Sequence, residues 1–347
     1  MKNLNLHKID IDPIKCNNKH KLFPVVNMPK IRCAVIGVGY LGRFHAQKYK
    51  SLPDIDLIGV CDLNKAICQA VADELSVPAY FDYKHLFGKV DAVSIAATTH
   101  MHYAIAKACL AEGIHVLIEK PITETVVQAK ELIALASTHH VKLQVGHLER
   151  FNSARLALDA HLTKPLFIES SRLAPFNPRG SDVNVILDLM IHDIDIIQTI
   201  VKSPIKHIDA QGASVLSKSI DIANARITFE NHCVANVTAS RISFKTERKT
   251  RIFQADTYIS IDYQNKQFAV FQKGDGEIFP GLPNIIQHES TFAQGDALLE
   301  EIKAFIACIT NDTPPLVTGE EGCAALATAE KITLLIDNHP IRSHAVA

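Results

Sequence analysis

From Ile31 to about Gly146, short apolar runs alternate with segments of helical periodicity, and this alternation restricts the fold more than any single residue does. Ile31 to Ile36, Leu57 to Cys61, Ala92 to Ala96, His115 to Ile118 and Leu143 to Val145 read as strands. They are β-branched, continuous rather than alternating, and bounded by Gly, Asp or Pro, as strands buried on both faces must be. Leu41 to Lys50, Lys65 to Leu75, His102 to Ala111 and Glu124 to Ser137 carry apolar residues at three- and four-residue spacing and read as helices. Repeated βαβ units predict an α/β fold with a doubly wound parallel sheet.

After about His147 the texture changes. A helix is expected around Ser153 to Leu162, then a loop with Pro175, Pro178 and Gly180, then an apolar helix near Asn184 to Ile200. Period-two runs follow at Ala225 to Phe229, Val234 to Ser240, Thr250 to Gln254, Tyr258 to Asp262 and Gln267 to Phe271. Such runs predict a large, mainly antiparallel open sheet with one face covered. Helical periodicity returns at Ala297 to Thr310 and Gly319 to Asp337, making the second domain α+β. The expected division is an N-terminal extension over 1–29, a nucleotide-binding domain over 30–147 and an α+β substrate and oligomerisation domain over 148–347.

Charge and cysteine usage remove several classes. The 36 Lys and Arg nearly balance the 37 Asp and Glu, so there is no basic excess to serve nucleic acid. The apolar runs are too short to cross a bilayer, and the first thirty residues, rich in Lys and Asn, contain no secretory apolar core. A cytoplasmic, reducing location is therefore expected for the eight scattered cysteines. No C-x-x-C pair occurs, so neither structural zinc nor a disulfide framework is expected.

The first βα turn reads Gly37-Val38-Gly39-Tyr40-Leu41-Gly42. Glycines at this spacing arise easily by chance, but these follow a strand directly and open a helix, as dinucleotide binding requires. Gly37 permits the tight turn, Gly39 lets the backbone approach a pyrophosphate, and Gly42 lets helix and strand pack closely. The helix N-terminus then offers unpaired N–H groups to the phosphates. Asp62, at the end of the second strand, stands where a carboxylate accepts hydrogen bonds from ribose hydroxyls and repels a 2′-phosphate, which favours NAD over NADP. Asp62 also suits a helix N-cap ahead of Leu63 and Asn64, and the two roles are compatible. The nucleotide-binding half is thus a Rossmann domain.

Two further groups carry chemistry. Glu119-Lys120-Pro121 follows a very apolar strand at the carboxyl edge of the sheet, where ligands bind in open α/β folds. A lysine there either reaches the cleft or pairs with a neighbouring carboxylate. Asp188-Leu189-Met190-Ile191-His192-Asp193 sets Asp188 and His192 four residues apart, on one face of an α-helix. A carboxylate beside the imidazole would raise its proton affinity and orient it. A metal pair is the rival reading, but no third ligand stands at matching spacing, and a buried polar pair is the simplest alternative.

The glycine turn, Asp62, the segment Val93 to His102, Glu119-Lys120-Pro121 and Asp188-x-x-x-His192 occur together in an order that resembles the Gfo/Idh/MocA oxidoreductases over about residues 31–337. The resemblance implies an NAD-dependent dehydrogenase acting on CH–OH groups of sugars or cyclitols. It implies that Lys120, Asp188 and His192 line the reacting carbinol, and that the C-terminal sheet mediates a homodimer or homotetramer. Tyr40, Leu41, Thr99, His102, Glu119 and Lys120 join the glycines and Asp62 as implied cofactor contacts. One departure stands out: a proline common in the family's turn after the strand Ala92 to Ala96 is missing from Ala97-Thr98-Thr99.

Within the family, Gly146-His147-Leu148-Glu149-Arg150-Phe151-Asn152 and the run from Asp188 to Asp195 look like members acting on UDP-N-acetylglucosamine, at C3, in lipid A assembly. Arg150, Asn152, Arg172 and Arg179 are then expected contacts for a diphosphate or sugar, since a guanidinium matches phosphate geometry. Each arginine has an ordinary alternative, solvation or pairing with a nearby acid. In the implied chemistry His192 takes the hydroxyl proton, Lys120 hydrogen-bonds the same oxygen and Asp188 orients His192; Lys120 and His192 could exchange roles. The rivals are a UDP-uronic acid, a free sugar or inositol as substrate, and a non-catalytic NAD-binding redox sensor.

Overall fold

The computed structural model describes residues 30–177, 183–293 and 295–338. The expected extension over 1–29, Cys16, Pro178, Arg179 and Gly180 lie outside these. The first layer runs β1 (Ile31–Ile36), α1 (Tyr40–Ser51), β2 (Ile55–Cys61), α2 (Lys65–Leu75), β3 (Ala79–Tyr80), β4 (Ala92–Ile95), α3 (Thr99–Ala111), β5 (His115–Glu119), α4 (Val126–Thr138) and β6 (Leu143–Gly146). The strands are parallel, in the order β3-β2-β1-β4-β5-β6. The order reverses between β1 and β4, and there the carboxyl ends of the strands open a crevice. Local chemistry starts the helices where periodicity places them. Asn64 caps α2 by accepting from Ile67 N–H, and Thr125 forms a capping box with Gln128 at α4.

The second layer begins with one short turn of helix, α5 (Ser153–Leu156), and the strand β7 (Pro165–Leu173). A π-helical turn over Ile186–Met190 leads into α6 (Ile191–Val201). Then come β8 (Ile205–Ala213), β9 (Ile222–Phe229), β10 (Val234–Ser240), β11 (Glu247–Gln254), β12 (Thr257–Asp262), β13 (Gln267–Phe279), β14 (Leu282–Thr291), α7 (Ala297–Thr310) and α8 (Gly319–Asp337). The sheet order is β14-β13-β12-β11-β7-β10-β9-β8, antiparallel except for the parallel pair β7 and β10. Inward residues such as Ile168, Ile227, Val237 and Ile252 pack on α6 and α8 through Ile191, Ile194, Ala329 and Ile332. Truncating one of these isoleucines to alanine costs about 2–5 kcal/mol. The opposite face carries an aromatic ladder, Phe167, Phe253, Tyr258 and Phe271, with successive ring centroids 5.9, 5.1 and 5.6 Å apart.

Two helices beyond residue 147 also pack on the first layer. Leu298, Ile302, Phe305 and Cys308 of α7 complete the apolar cluster around Val35, Ala46 and Tyr49, and Asp296 pairs with Lys48 of α1 at 2.6 Å. α8, started by a Thr318–Glu321 capping box, sets Leu326 and Cys323 into the core beside Val145. The last two helices thus contribute to the nucleotide-binding layer. The seven described cysteines are all buried.

Candidate active site

The glycine turn has the geometry that a dinucleotide needs. Gly37 sits at φ 83°, a conformation L side chains rarely adopt. A Cβ on Gly42 would stand 1.8 Å from the Gly37 carbonyl oxygen, so helix and turn approach as only glycine allows. Around Gly39, by contrast, a Cβ would meet nothing within 4 Å. No side chain caps α1 and no acid occupies its first turn, which leaves its N–H groups for an anion. Asp62 accepts from Val38 N–H at 2.9 Å and from Asn64 N–H at 2.8 Å, fastening the turn while each oxygen keeps a further lone pair. It does not cap α2; Asn64 does. A cavity of about 460 Å³ lined by Gly37, Gly39, Asp62, Leu63, Thr98 and Met101 follows this edge. The residues present therefore fit NAD.

Other expected cofactor residues divide. Tyr40 and Leu41 are exposed at the start of α1, and Thr99 is half-buried at the start of α3. His102 is instead enclosed, with Nδ1 2.9 Å from the Pro121 carbonyl and Nε2 3.0 Å from that of Ala97. It ties the loop after β4 to the turn after β5, so its expected contact with cofactor is replaced by a structural one.

Lys120 and Asp188, distant in sequence, meet. Lys120 Nζ donates to the Asp188 backbone carbonyl at 2.7 Å and lies 3.5 Å from Asp188 Oδ1. No hydrogen bond or ion pair joins Asp188 to His192, contrary to the i,i+4 expectation. The π turn over Ile186–Met190 is the reason: its wider spiral takes the two side chains out of register. His192 is partly exposed, its Nδ1 enclosed without a partner, and its ring meets that of His147 edge-on, centroids 6.2 Å apart. Burial, then the cations Lys120, Arg172 and Arg248 with His147, hold the His192 imidazole well below the ordinary histidine range. The expected rise in proton affinity is thus reversed, and the ring is neutral.

Arg150 and Asn152 are committed within the protein, whereas Arg172 keeps one enclosed guanidinium nitrogen, Nη2, without a partner among the described residues. Arg150 is bidentate to Asp195 at 2.6 and 2.8 Å and reaches Glu321 at 3.3 Å. Arg172 pairs with Asp193 at 2.7 Å and Glu149 at 3.1 Å. Asn152 caps α5 and donates to the Tyr263 carbonyl at 3.0 Å. All three are buried, where a guanidinium charge must be paired and an amide hydrogen-bonded. Two residues not singled out from sequence stand by His192 instead. His147, enclosed with both ring nitrogens unpartnered, and Arg248, half-exposed and 3.6 Å from Glu149, follow a strand end and occupy a strand, positions that carry no spacing signal.

A parallel sheet with this switch point, an open glycine turn and a lysine at the end of β5 facing a histidine define an NAD-binding oxidoreductase. The chain belongs to the Gfo/Idh/MocA oxidoreductases: residues 31–147 match that family's NAD-binding Rossmann fold and residues 160–259 its C-terminal domain. It is 38% identical over 311 residues to the UDP-N-acetylglucosamine 3-dehydrogenase of Acidithiobacillus ferrooxidans, covering 89% of this chain and 98% of that one. A crystal structure of that enzyme superposes with a TM-score of 0.83 at 36% identity, over 89% of this chain and 99% of the other. A scyllo-inositol dehydrogenase from Lactobacillus casei, solved with NAD(H) and scyllo-inositol, shares the fold at a TM-score of 0.74 and 23% identity, over 89% and 97%.

Proposed function

We propose that this protein oxidises the C3 hydroxyl of UDP-N-acetylglucosamine to the ketone. The likeness to the Acidithiobacillus enzyme, at 38% identity over nearly the whole of both chains, carries this reading. Bound NAD supplies the hydride acceptor. His192 takes the hydroxyl proton at Nε2, the ring nitrogen other than the enclosed Nδ1, and its neutral state suits a base. Lys120 has three N–H donors; one is spent on the Asp188 carbonyl and a second points toward its carboxylate, which leaves the third for the substrate oxygen as charge develops. Asp188 thereby orients Lys120. His147, whose ring meets that of His192, and Arg248, 3.6 Å from Glu149, are the candidates for sugar recognition.

The assay is direct. Purified protein is incubated with NAD and, separately, UDP-N-acetylglucosamine, a UDP-uronic acid, free N-acetylglucosamine and inositol, while NADH absorbance is followed. Turnover confined to the first supports the reading; turnover with inositol alone overturns it. The same reading places a homodimer or homotetramer contact on the uncovered sheet face with the Phe167–Phe253–Tyr258–Phe271 ladder, since aromatic surface left half-exposed favours a partner. It also places the enzyme in the cytoplasm; among the described residues no helix is long and apolar enough to cross a membrane.

A further inference from the structure

Behind Glu119 lies a group of ionisable side chains that neither the fold nor the proposed chemistry uses. His45 of α1, Glu119 of β5 and Glu301 of α7 bring one polar atom each to within 4.8 Å of one another. His45 Nε2 and Glu119 Oε1 are 3.0 Å apart. His45 Nδ1 faces Ser94 Oγ at 3.3 Å, which meets the Tyr49 hydroxyl at 2.9 Å. Glu119 Oε2 accepts from the backbone N–H of Lys120 at 3.3 Å. The carboxylate fits only because residue 146 is glycine, where a Cβ would come within 3.0 Å of it.

Glu301 is different from its neighbours. It is wholly enclosed, and neither carboxylate oxygen has a hydrogen-bond partner. Among the described residues, the titratable groups around it are Glu119, His45 and Tyr49, and no lysine or arginine pairs with it. A buried carboxylate without a cation is strongly disfavoured, and a second carboxylate close by worsens it. Burial first, and then the Glu119 charge, push the Glu301 carboxyl well above the ordinary carboxylate range.

We propose that Glu301 is a positioning residue for the dehydrogenase site: an enclosed carboxyl group that, with His45, backs Glu119 where it anchors the Lys120 backbone. A neutral carboxyl at Glu301 makes its closeness to Glu119 tolerable; two charges there would repel. Glu119, the only partly exposed member, would be the one to move, and Lys120 hangs from it. This rests on the reading of Glu119 and Lys120 as site residues but not on the identity of the sugar. A divalent cation is the rival occupant of a His–Glu–Glu triangle.

The test compares full-length wild type, Glu301→Ala and Glu301→Gln for NADH affinity by NADH fluorescence, and for thermal unfolding from about pH 6 to about pH 9. The alanine variant should weaken NADH binding about tenfold. Glutamine, a neutral group of the same size, should restore it to within about twofold. A group whose pKa is raised on folding stabilises fully only below its unfolded pKa, and that contribution is lost as pH rises. Glu301→Gln should therefore melt above wild type by a margin that grows with pH. Equal losses of NADH affinity in both variants, or none in alanine, would overturn the proposal. So would a stoichiometric divalent metal in the purified wild type whose removal by chelator lowers its melting temperature. None of these readouts needs a sugar, so they stay informative even where UDP-N-acetylglucosamine is not oxidised.

Discussion

Lys120 Nζ donates to the backbone carbonyl of Asp188 at 2.7 Å, joining the end of β5 to the π turn that precedes α6. This contact lets Asp188 act on the lysine rather than on His192. Asp188→Asn removes the charge opposite Lys120 at 3.5 Å and keeps the backbone bond. It should lower kcat by about tenfold to a hundredfold while leaving the acid limb of the pH profile where it is. A large shift of that limb would assign Asp188 to His192 after all.

The low proton affinity of His192 has a sign that kinetics can read. A base whose pKa lies below the ordinary 6.5 stays deprotonated as pH falls through that value. kcat/KM should therefore stay level from about pH 8 down through the ordinary histidine range, and fall only below it. Loss of half the rate at or above 6.5 would mean a raised affinity and a different base. His192→Ala should cost about 10²–10⁴-fold in kcat at any pH, with NADH affinity kept.

Gly42→Ala tests the cofactor turn. Its Cβ would lie 1.8 Å from the Gly37 oxygen, so the turn or α1 must shift. A loss of about 1–3 kcal/mol in stability is expected, together with weaker NADH binding, by calorimetry on the same sample. Unchanged NADH affinity would separate the turn from the cofactor.

Arg172 bears on substrate contact. It is enclosed between Asp193 and Glu149, so Arg172→Ala strands two carboxylates. It should destabilise the protein by about 3–5 kcal/mol in denaturant unfolding. A selective rise in substrate KM with full stability would instead assign its unpartnered Nη2 to the substrate.

What the sequence discloses here is what depends on neighbours along the chain. The βαβ alternation, the glycine turn and Asp62 are local patterns, and each recurs in the structure at the expected residues. β7 and β14 escaped: Pro165–Leu173 carries Glu169, Ser170, Ser171 and Arg172 in its second half, and Leu282–Thr291 is exposed along most of its length. The π turn leaves no mark on hydrophobic spacing, so the offset of Asp188 from His192 was illegible. Pairings such as Arg172 with Glu149, or Glu301 with Glu119, join segments far apart in the chain, and residue type alone does not name the partner.

The most direct test of the account uses UDP-N-acetylglucosamine carrying deuterium at C3 only. After one turnover with unlabelled NAD, the recovered NADH should be one mass unit heavier by mass spectrometry, and the sugar should carry a carbonyl at C3. Unlabelled NADH, or no NADH from this substrate under conditions where the protein binds the cofactor, would contradict the proposed reaction.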